Sequence, residues 1–121
     1  MELSGHAPFI VYEDANIEKA VDTAMAAKYR NNGQVCISPS RFFIHEKIKS
    51  KFQDLFVKKT LKLKMGDAFS NPDLGPITTE KRLNDVEKLS DLTVKEGAEL
   101  LCGGKRASNF NKGYYLSLIH I

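Results

Sequence analysis

The stretch Asn31-Asn32-Gly33-Gln34-Val35-Cys36 is the point from which the fold can be worked out, because it joins a helical pattern to a strand pattern. An Ala-rich segment with helical spacing precedes it, and a Ser-Pro pair and an apolar run follow it. A thiol in such a turn is expected to be exposed and close to backbone N–H groups, where its thiolate can attack a small electrophile. The alternative is that Cys36 is a small apolar filler of the core.

On both sides of this turn, apolar runs alternate with helical patterns. This order predicts an α/β fold with a parallel sheet and βαβ crossovers. The apolar runs predicted to form strands are residues 8–13, 42–44, 98–102 and 114–116. So few strands and helices cover the two faces of a parallel sheet only in part. The chain is therefore interpreted as part of a larger fold.

Each predicted helix has a starting signal and one apolar face. Asn16 is the expected N-cap of the first helix, and Thr78 or Thr79 that of the third. The second helix should run over residues 46–63, with lysines on its outer face. The residues expected to face inward are Ile17, Ala20, Val21 and Ala24 in the first helix, Ile48, Phe52, Leu55 and Phe56 in the second, and Leu83, Val86 and Leu89 in the third.

The composition excludes several classes of protein. The 121-residue chain is 42% hydrophobic and 27% charged, which is typical of a folded globular domain. Its net charge of +3 is too small to indicate nucleic-acid binding, and no apolar run approaches the ~20 residues that span a membrane. Two separated cysteines form no disulfide framework, so a reducing, cytoplasmic location is expected. No metal site is expected either, because no Cys or His partners stand at metal-binding spacing from His6, His45 or His120.

Two motifs connect the chain to a known family. Gly33-Gln34-x-Cys36 follows the Ala-rich helix, and Glu2-Leu3-Ser4-Gly5 is similar to a Glu-Leu-Gly-Gly motif at the matching distance. On these motifs, residues 1–115 resemble the aldehyde dehydrogenase superfamily. The resemblance implies a segment of the catalytic domain of an enzyme of several hundred residues. Residues 116–121 depart from the family pattern and are expected to form a divergent tail.

The resemblance also implies roles for individual residues. Cys36 would be the nucleophile that forms a thiohemiacetal and then a thioester, and Glu2 would be the general base that activates water. Gly5 would contact the cofactor, NAD or NADP. Most of the cofactor site would be formed by sequence that precedes Glu2. Ser4 stands where the motif has its first glycine, and its Cβ is expected to crowd the nicotinamide.

Arg30 is the candidate for substrate binding. The segments 6–11 and 26–31 look most like the succinate-semialdehyde dehydrogenase branch, in which the matching arginine binds the substrate carboxylate. A planar guanidinium suits such a contact, although Arg30 also suits the negative end of the helix dipole. The branch implies a small-molecule aldehyde as substrate and a homodimer or homotetramer for the full-length enzyme. Ser38 replaces the second cysteine of many members, so no redox-switch disulfide is expected.

Two other functions are left open. An exposed thiol also suits a cofactor-free esterase or thioesterase. The lysines of residues 47–62 suit a non-catalytic binding module, although a solvated outer helix face is the preferred explanation of them. If the chain is a dehydrogenase segment, it is expected to be inactive in the redox reaction by itself, because most of the cofactor site would be missing.

Overall fold

The structure, a computed structural model, describes residues 5–117. The chain divides into two compact units, Met1–Lys62 and Leu63–Ile121, which are described in turn. Between residues 5 and 117, no helix combines the length and the apolar character that a lipid bilayer would require of it.

The first unit is built on two parallel strands, β1 (Pro8–Val11) and β2 (Arg41–Ile44). Helix α1 (Ile17–Tyr29) connects them, so the predicted parallel sheet with a βαβ crossover is confirmed. Strand β1 ends two residues earlier than predicted, because the N–H of Ala15 donates to the carbonyl of Tyr12 (3.1 Å) and turns the chain toward α1. The register places opposite each other Pro8 and Arg41, Phe9 and Phe42, Ile10 and Phe43, and Val11 and Ile44.

Helix α1 begins where the sequence predicts. The side-chain oxygen of Asn16 accepts a hydrogen bond from the N–H of Lys19 (3.0 Å) and so satisfies one donor of the first turn. Val21 and Ala24 are fully buried, as expected from their helical spacing. Helix α1 packs against α2 (Glu46–Thr60), which follows β2 directly.

Helix α2 contributes three buried apolar side chains to the core of the first unit. Phe56 is fully buried, and its ring centroid lies 5.8–5.9 Å from those of Tyr29, Phe42 and Phe52. Ile48 is buried with them, whereas Leu55 is half-buried. The four lysines expected on the outer face are exposed: Lys47, Lys51, Lys58 and Lys62.

The second unit contains helix α3 (Glu80–Lys95). The hydroxyl oxygen of Thr79 accepts a hydrogen bond from the N–H of Arg82 (3.2 Å), which confirms Thr79 as the N-cap. Gly97 follows the helix with a left-handed φ of 103°, as a C-terminal stop signal requires. A single 3₁₀ turn, Ala68–Ser70, lies in the loop that precedes α3.

One inward position of α3 was predicted wrongly. Leu83 is buried, but Leu89 is 64% exposed, and Ser90 occupies the buried position instead. Seven residues, close to two helical turns, separate Leu83 from Ser90, so these two lie on one face and Leu89 does not. The hydroxyl of Ser90 donates to the carbonyl of Val86 (2.8 Å), so its burial leaves no polar group unsatisfied.

The two strands predicted near the C-terminal end also need correction. Within the described residues, neither 98–102 nor 114–116 forms a strand, and the pairing of the second of them is an isolated antiparallel bridge between Arg106 and Leu116. Residues 103–104 are glycines with φ of 74° and 76°, so the backbone leaves the extended conformation immediately after the first predicted strand.

Candidate active site

The turn Arg30–Gly33 ends α1 and redirects the chain before Cys36. Asn31 and Asn32 have left-handed backbone angles, with φ of 49° and 58°, and Gly33 follows with φ of 75°. After glycine, asparagine is among the residues that enter this region most readily. Consecutive left-handed residues cannot continue a right-handed helix, which explains why α1 stops here.

Hydrogen bonds between Asn31 and Gln34 hold the left-handed turn. The backbone N–H and the Nε2 of Gln34 both donate to the carbonyl of Asn31, at 3.0 and 3.2 Å. The Nδ2 of Asn31 donates in return to the carbonyl of Gln34 at 3.3 Å. Each left-handed asparagine costs roughly 1–2 kcal/mol of backbone energy, and these bonds offset part of it. Gln34 thus supports the turn that precedes Cys36.

Cys36 lies in the next turn, Val35–Ser38, which is closed by a hydrogen bond from the N–H of Ser38 to the carbonyl of Val35 (2.9 Å). Its side chain is exposed and forms no disulfide, so the interpretation of Cys36 as a core filler is wrong. Within residues 5–117, the N–H of Cys36 forms no backbone hydrogen bond. The other cysteine, Cys102, is half-buried.

Lys28, in the last turn of α1, is a functional candidate that the sequence did not reveal. Its Nζ donates to the carbonyl of Pro39 (2.9 Å), and its own carbonyl accepts a hydrogen bond from the hydroxyl of Ser38 (3.2 Å). Burial lowers the pKa of Lys28, because the ammonium group loses hydration. The only signal in the sequence was a lysine in the last turn of a helix, a position that suits the helix dipole equally well.

Gly5 lies against the peptide group of Cys36. A Cβ atom on Gly5 would lie 2.9 Å from the carbonyl oxygen of Cys36, which is too close for a carbon–oxygen contact. The structure therefore brings the end of the N-terminal motif to the cysteine turn. The cofactor contact expected of Gly5 stays a prediction. Glu2 and Ser4 lie outside the described residues, so the proposed role of Glu2 as a base also stays a prediction.

Arg30 is exposed at the C-terminal end of α1, six residues before Cys36. Its side chain forms no salt bridge within the part of the chain that the structure describes. Its position at the helix end also complements the negative end of the dipole, so both interpretations of Arg30 remain compatible with the structure.

A groove of about 350 Å³ lies elsewhere in the first unit, along β1 and the first half of α1. Its apolar wall includes Phe9, Ile10 and Ala20, and its polar rim includes Asp14 and Lys19. None of the residues around Cys36 lines this groove. We therefore assign it no part in chemistry at the thiol.

Comparison with known proteins identifies the family. The sequence profile of the aldehyde dehydrogenase family matches residues 1–119. Succinate-semialdehyde dehydrogenase (NADP(+)) 1 of Schizosaccharomyces pombe is 38% identical over 116 residues, which are 95% of this chain and 23% of that protein. The crystal structure of succinate-semialdehyde dehydrogenase from Burkholderia pseudomallei superposes with a TM-score of 0.87 at 41% identity, over 94% of this chain and 24% of that one.

A second solved structure gives a similar result. Betaine aldehyde dehydrogenase from Staphylococcus aureus, in complex with NAD+, superposes with a TM-score of 0.94 at 33% identity, over 98% of this chain and 24% of that one. The chain thus spans about a quarter of the length of the relatives it matches. Profile, sequence identity and superposition agree with the two motifs, and the chain belongs to the aldehyde dehydrogenase family.

Proposed function

We propose that this chain is the cysteine-bearing part of an enzyme that oxidises an aldehyde to a carboxylic acid with NAD or NADP. The observation that carries the proposal is the exposed thiol of Cys36 in a tightly held turn, with Gly5 of the glutamate motif packed on its carbonyl. The cofactor is supported by the relatives: one is specified for NADP(+), and one was solved with NAD+.

In the proposed reaction, the Sγ of the Cys36 thiolate bonds to the carbonyl carbon of the aldehyde, and the carbonyl oxygen takes the negative charge. The N–H of Cys36 donates a hydrogen bond to that oxygen. The dinucleotide, when bound, supplies the hydride acceptor for this carbon, and Cys36 is left carrying a thioester. Glu2 accepts a proton from the water that attacks the thioester, which releases the carboxylic acid and restores the thiolate.

Only a small part of the cofactor site is proposed to lie in this chain. Gly5 is its candidate within residues 5–117, and the space of its missing Cβ is already taken by the carbonyl of Cys36. Gly5 therefore fits a close backbone approach and does not form a dinucleotide cradle by itself. The remaining contacts are proposed to come from sequence that precedes Glu2 in the family.

The proposed substrate is succinate semialdehyde, with Arg30 binding its carboxylate. The exposure of Arg30 and its freedom from salt bridges within residues 5–117 support this assignment. A guanidinium attracts a carboxylate and repels the quaternary ammonium of betaine aldehyde, the substrate named for another relative. The dependence of KM on the charge of the aldehyde therefore tests the assignment.

A segment exchange tests the dehydrogenase proposal. The matching quarter of the S. pombe succinate-semialdehyde dehydrogenase is replaced by this chain, and reduction of NADP(+) is followed with succinate semialdehyde. We expect activity that Cys36→Ala abolishes and Cys102→Ala preserves. A folded exchange protein whose activity survives Cys36→Ala would contradict the proposed nucleophile.

The same exchange protein tests the substrate. Arg30→Ala should raise KM for succinate semialdehyde about tenfold or more, because a charge-assisted pair is lost, and should leave KM for a neutral aldehyde unchanged. Arg82→Ala, which removes another exposed arginine, is the matched control. An equal effect of Arg30→Ala on both aldehydes would remove the carboxylate role.

The exposure of Cys36 also favours a second candidate function, a cofactor-free esterase or thioesterase. Such a reaction needs only an accessible thiolate and an oxyanion donor. Hydrolysis of p-nitrophenyl acetate by the chain is the test, with Cys36→Ala and Cys102→Ala as the matched pair. Equal rates for wild type and Cys36→Ala would exclude Cys36 as an esterase nucleophile.

A further inference from the structure

Lys28 contacts both ends of the segment that carries Cys36. At the far end, its Nζ donates to the carbonyl of Pro39 (2.9 Å), and its own carbonyl accepts from the hydroxyl of Ser38 (3.2 Å). At the near end, a Cβ on Gly33 would lie 3.2 Å from that same carbonyl, so the backbone of Gly33 runs closely past it. Lys28 thus contacts the chain at both ends of residues 33–39, the segment that contains Cys36.

These contacts are made in a partly desolvated place. Ser38 is 8% exposed, and Lys28 is buried enough for its pKa to be lowered. A hydrogen bond from an ammonium group is charge-assisted and about twice as strong as a neutral one, and it is weakened less by water when its donor is partly buried. Lys19, in the first turn of the same helix, is exposed and provides a natural comparison.

We propose that Lys28 is a positioning residue, which keeps the turn Val35–Ser38 closed and so fixes the thiol of Cys36 relative to the end of α1. The proposal rests on the proposed function, because the position of the thiol matters only if Cys36 reacts. Lys28 does not touch the reacting atoms. It acts through the carbonyl of Pro39 and the hydroxyl of Ser38, and a reacting thiol displaced by as little as 1 Å can lose roughly a hundredfold in rate.

The test uses the full chain with Cys102→Ala, so that Cys36 is its only thiol. The first measurement is acyl transfer from p-nitrophenyl acetate to Cys36 as a function of pH. Lys28→Met should lower the plateau rate about tenfold, the size expected for one charge-assisted hydrogen bond, and should leave the pH midpoint unchanged. Lys28→Arg should restore most of the rate, because the guanidinium can still donate to Pro39. Lys19→Met should change neither quantity.

Amide hydrogen exchange gives a second measurement that does not depend on reactivity. Exchange of the Ser38 amide should rise about tenfold in Lys28→Met, while that of Val21 in the core stays the same. Ser38→Ala, which removes the other contact, should act in the same direction. An equal rise at both amides, or a response identical to that of Lys19→Met, would overturn the proposal. If wild type shows no acyl transfer to Cys36, the proposed function loses its support, and the exchange data still decide the role of Lys28.

Discussion

At the scale of single residues, the backbone around Cys36 depends on asparagine and glycine residues that few other residue types could replace. Asn31 and Asn32 occupy left-handed conformations, and Gly5 leaves room for the carbonyl of Cys36. None of these residues adds a reactive group. Their effect is to fix the backbone from which the thiol and the N–H of Cys36 project, and preorganised donors and nucleophiles depend on such fixation.

Gly5 provides the first prediction. Gly5→Ala should slow acyl transfer to Cys36 at least tenfold, because the new Cβ would force the carbonyl of Cys36 away from a 2.9 Å contact. Gly75→Ala is the control, since a Cβ at Gly75 meets no atom within 4 Å. The rates are measured with p-nitrophenyl acetate in the Cys102→Ala background. If Gly5→Ala reacts as fast as Gly75→Ala, the contact has no influence on the thiol.

Lys28 provides a prediction about pH. Its pKa is lowered in the folded state by burial, so the folded state disfavours the charged form, and this destabilisation is complete at neutral pH. As pH rises through the folded pKa toward the pKa of an unfolded lysine, the destabilisation is relieved. The free energy of unfolding of wild type relative to Lys28→Met should therefore increase from neutral to alkaline pH. Urea unfolding at the two pH values measures it, and Lys19→Met should show no such trend.

At the scale of elements, the first unit depends on the contact between α1 and α2. Tyr29, at the end of α1, places its ring 5.8 Å from that of Phe56 and its hydroxyl 2.9 Å from the hydroxyl of Thr60. The end of α1 that leads into the cysteine turn is thus anchored to α2 by an apolar and a polar contact. A mutation that weakens the packing of α1 on α2 is therefore expected to disturb, through Tyr29, the turn that leads to Cys36.

Phe56 gives the corresponding prediction. Phe56→Ala should lower the free energy of unfolding by about 3–5 kcal/mol, because it removes a fully buried ring and leaves a cavity among three aromatic neighbours. Leu61→Ala, at a position that is 69% exposed, should change it by less than about 0.5 kcal/mol. Urea unfolding followed by circular dichroism measures both. Similar values for the two variants would show that the aromatic cluster does not stabilise the unit.

The elements also show what the sequence can and cannot predict. Asn16 was predicted as a cap, and Thr79 as one of two candidates, because a cap is recognised within four residues. The exposure of Cys36 followed from its turn. The contact of Lys28 with Pro39 joins residues eleven positions apart through the end of a helix, and no local pattern encodes it. The exposed Leu89 was misassigned because helical spacing alone does not reveal which face of α3 is covered.

At the scale of the whole molecule, we propose that the chain carries the thiol chemistry of its family, although it spans only about a quarter of the relatives' length. The two groups proposed for bond formation are the thiol and the backbone N–H of Cys36, which belong to the same residue. Hydride transfer requires in addition a bound dinucleotide, for which Gly5 is the candidate contact within residues 5–117. The isolated chain should therefore form a bond to Cys36 without transferring a hydride.

The isolated 121-residue chain should not reduce NAD+ or NADP+ with succinate semialdehyde, yet it should transfer an acetyl group from p-nitrophenyl acetate to Cys36. The first reaction needs hydride acceptor and aldehyde held together, whereas the second needs only the thiolate and the N–H of Cys36. Absorbance of the reduced nicotinamide measures the former, and release of p-nitrophenolate the latter. Cys36→Ala should abolish acyl transfer, and Cys102→Ala should not. Cofactor reduction by the purified chain would mean that a far smaller part of the family fold binds the dinucleotide than we propose.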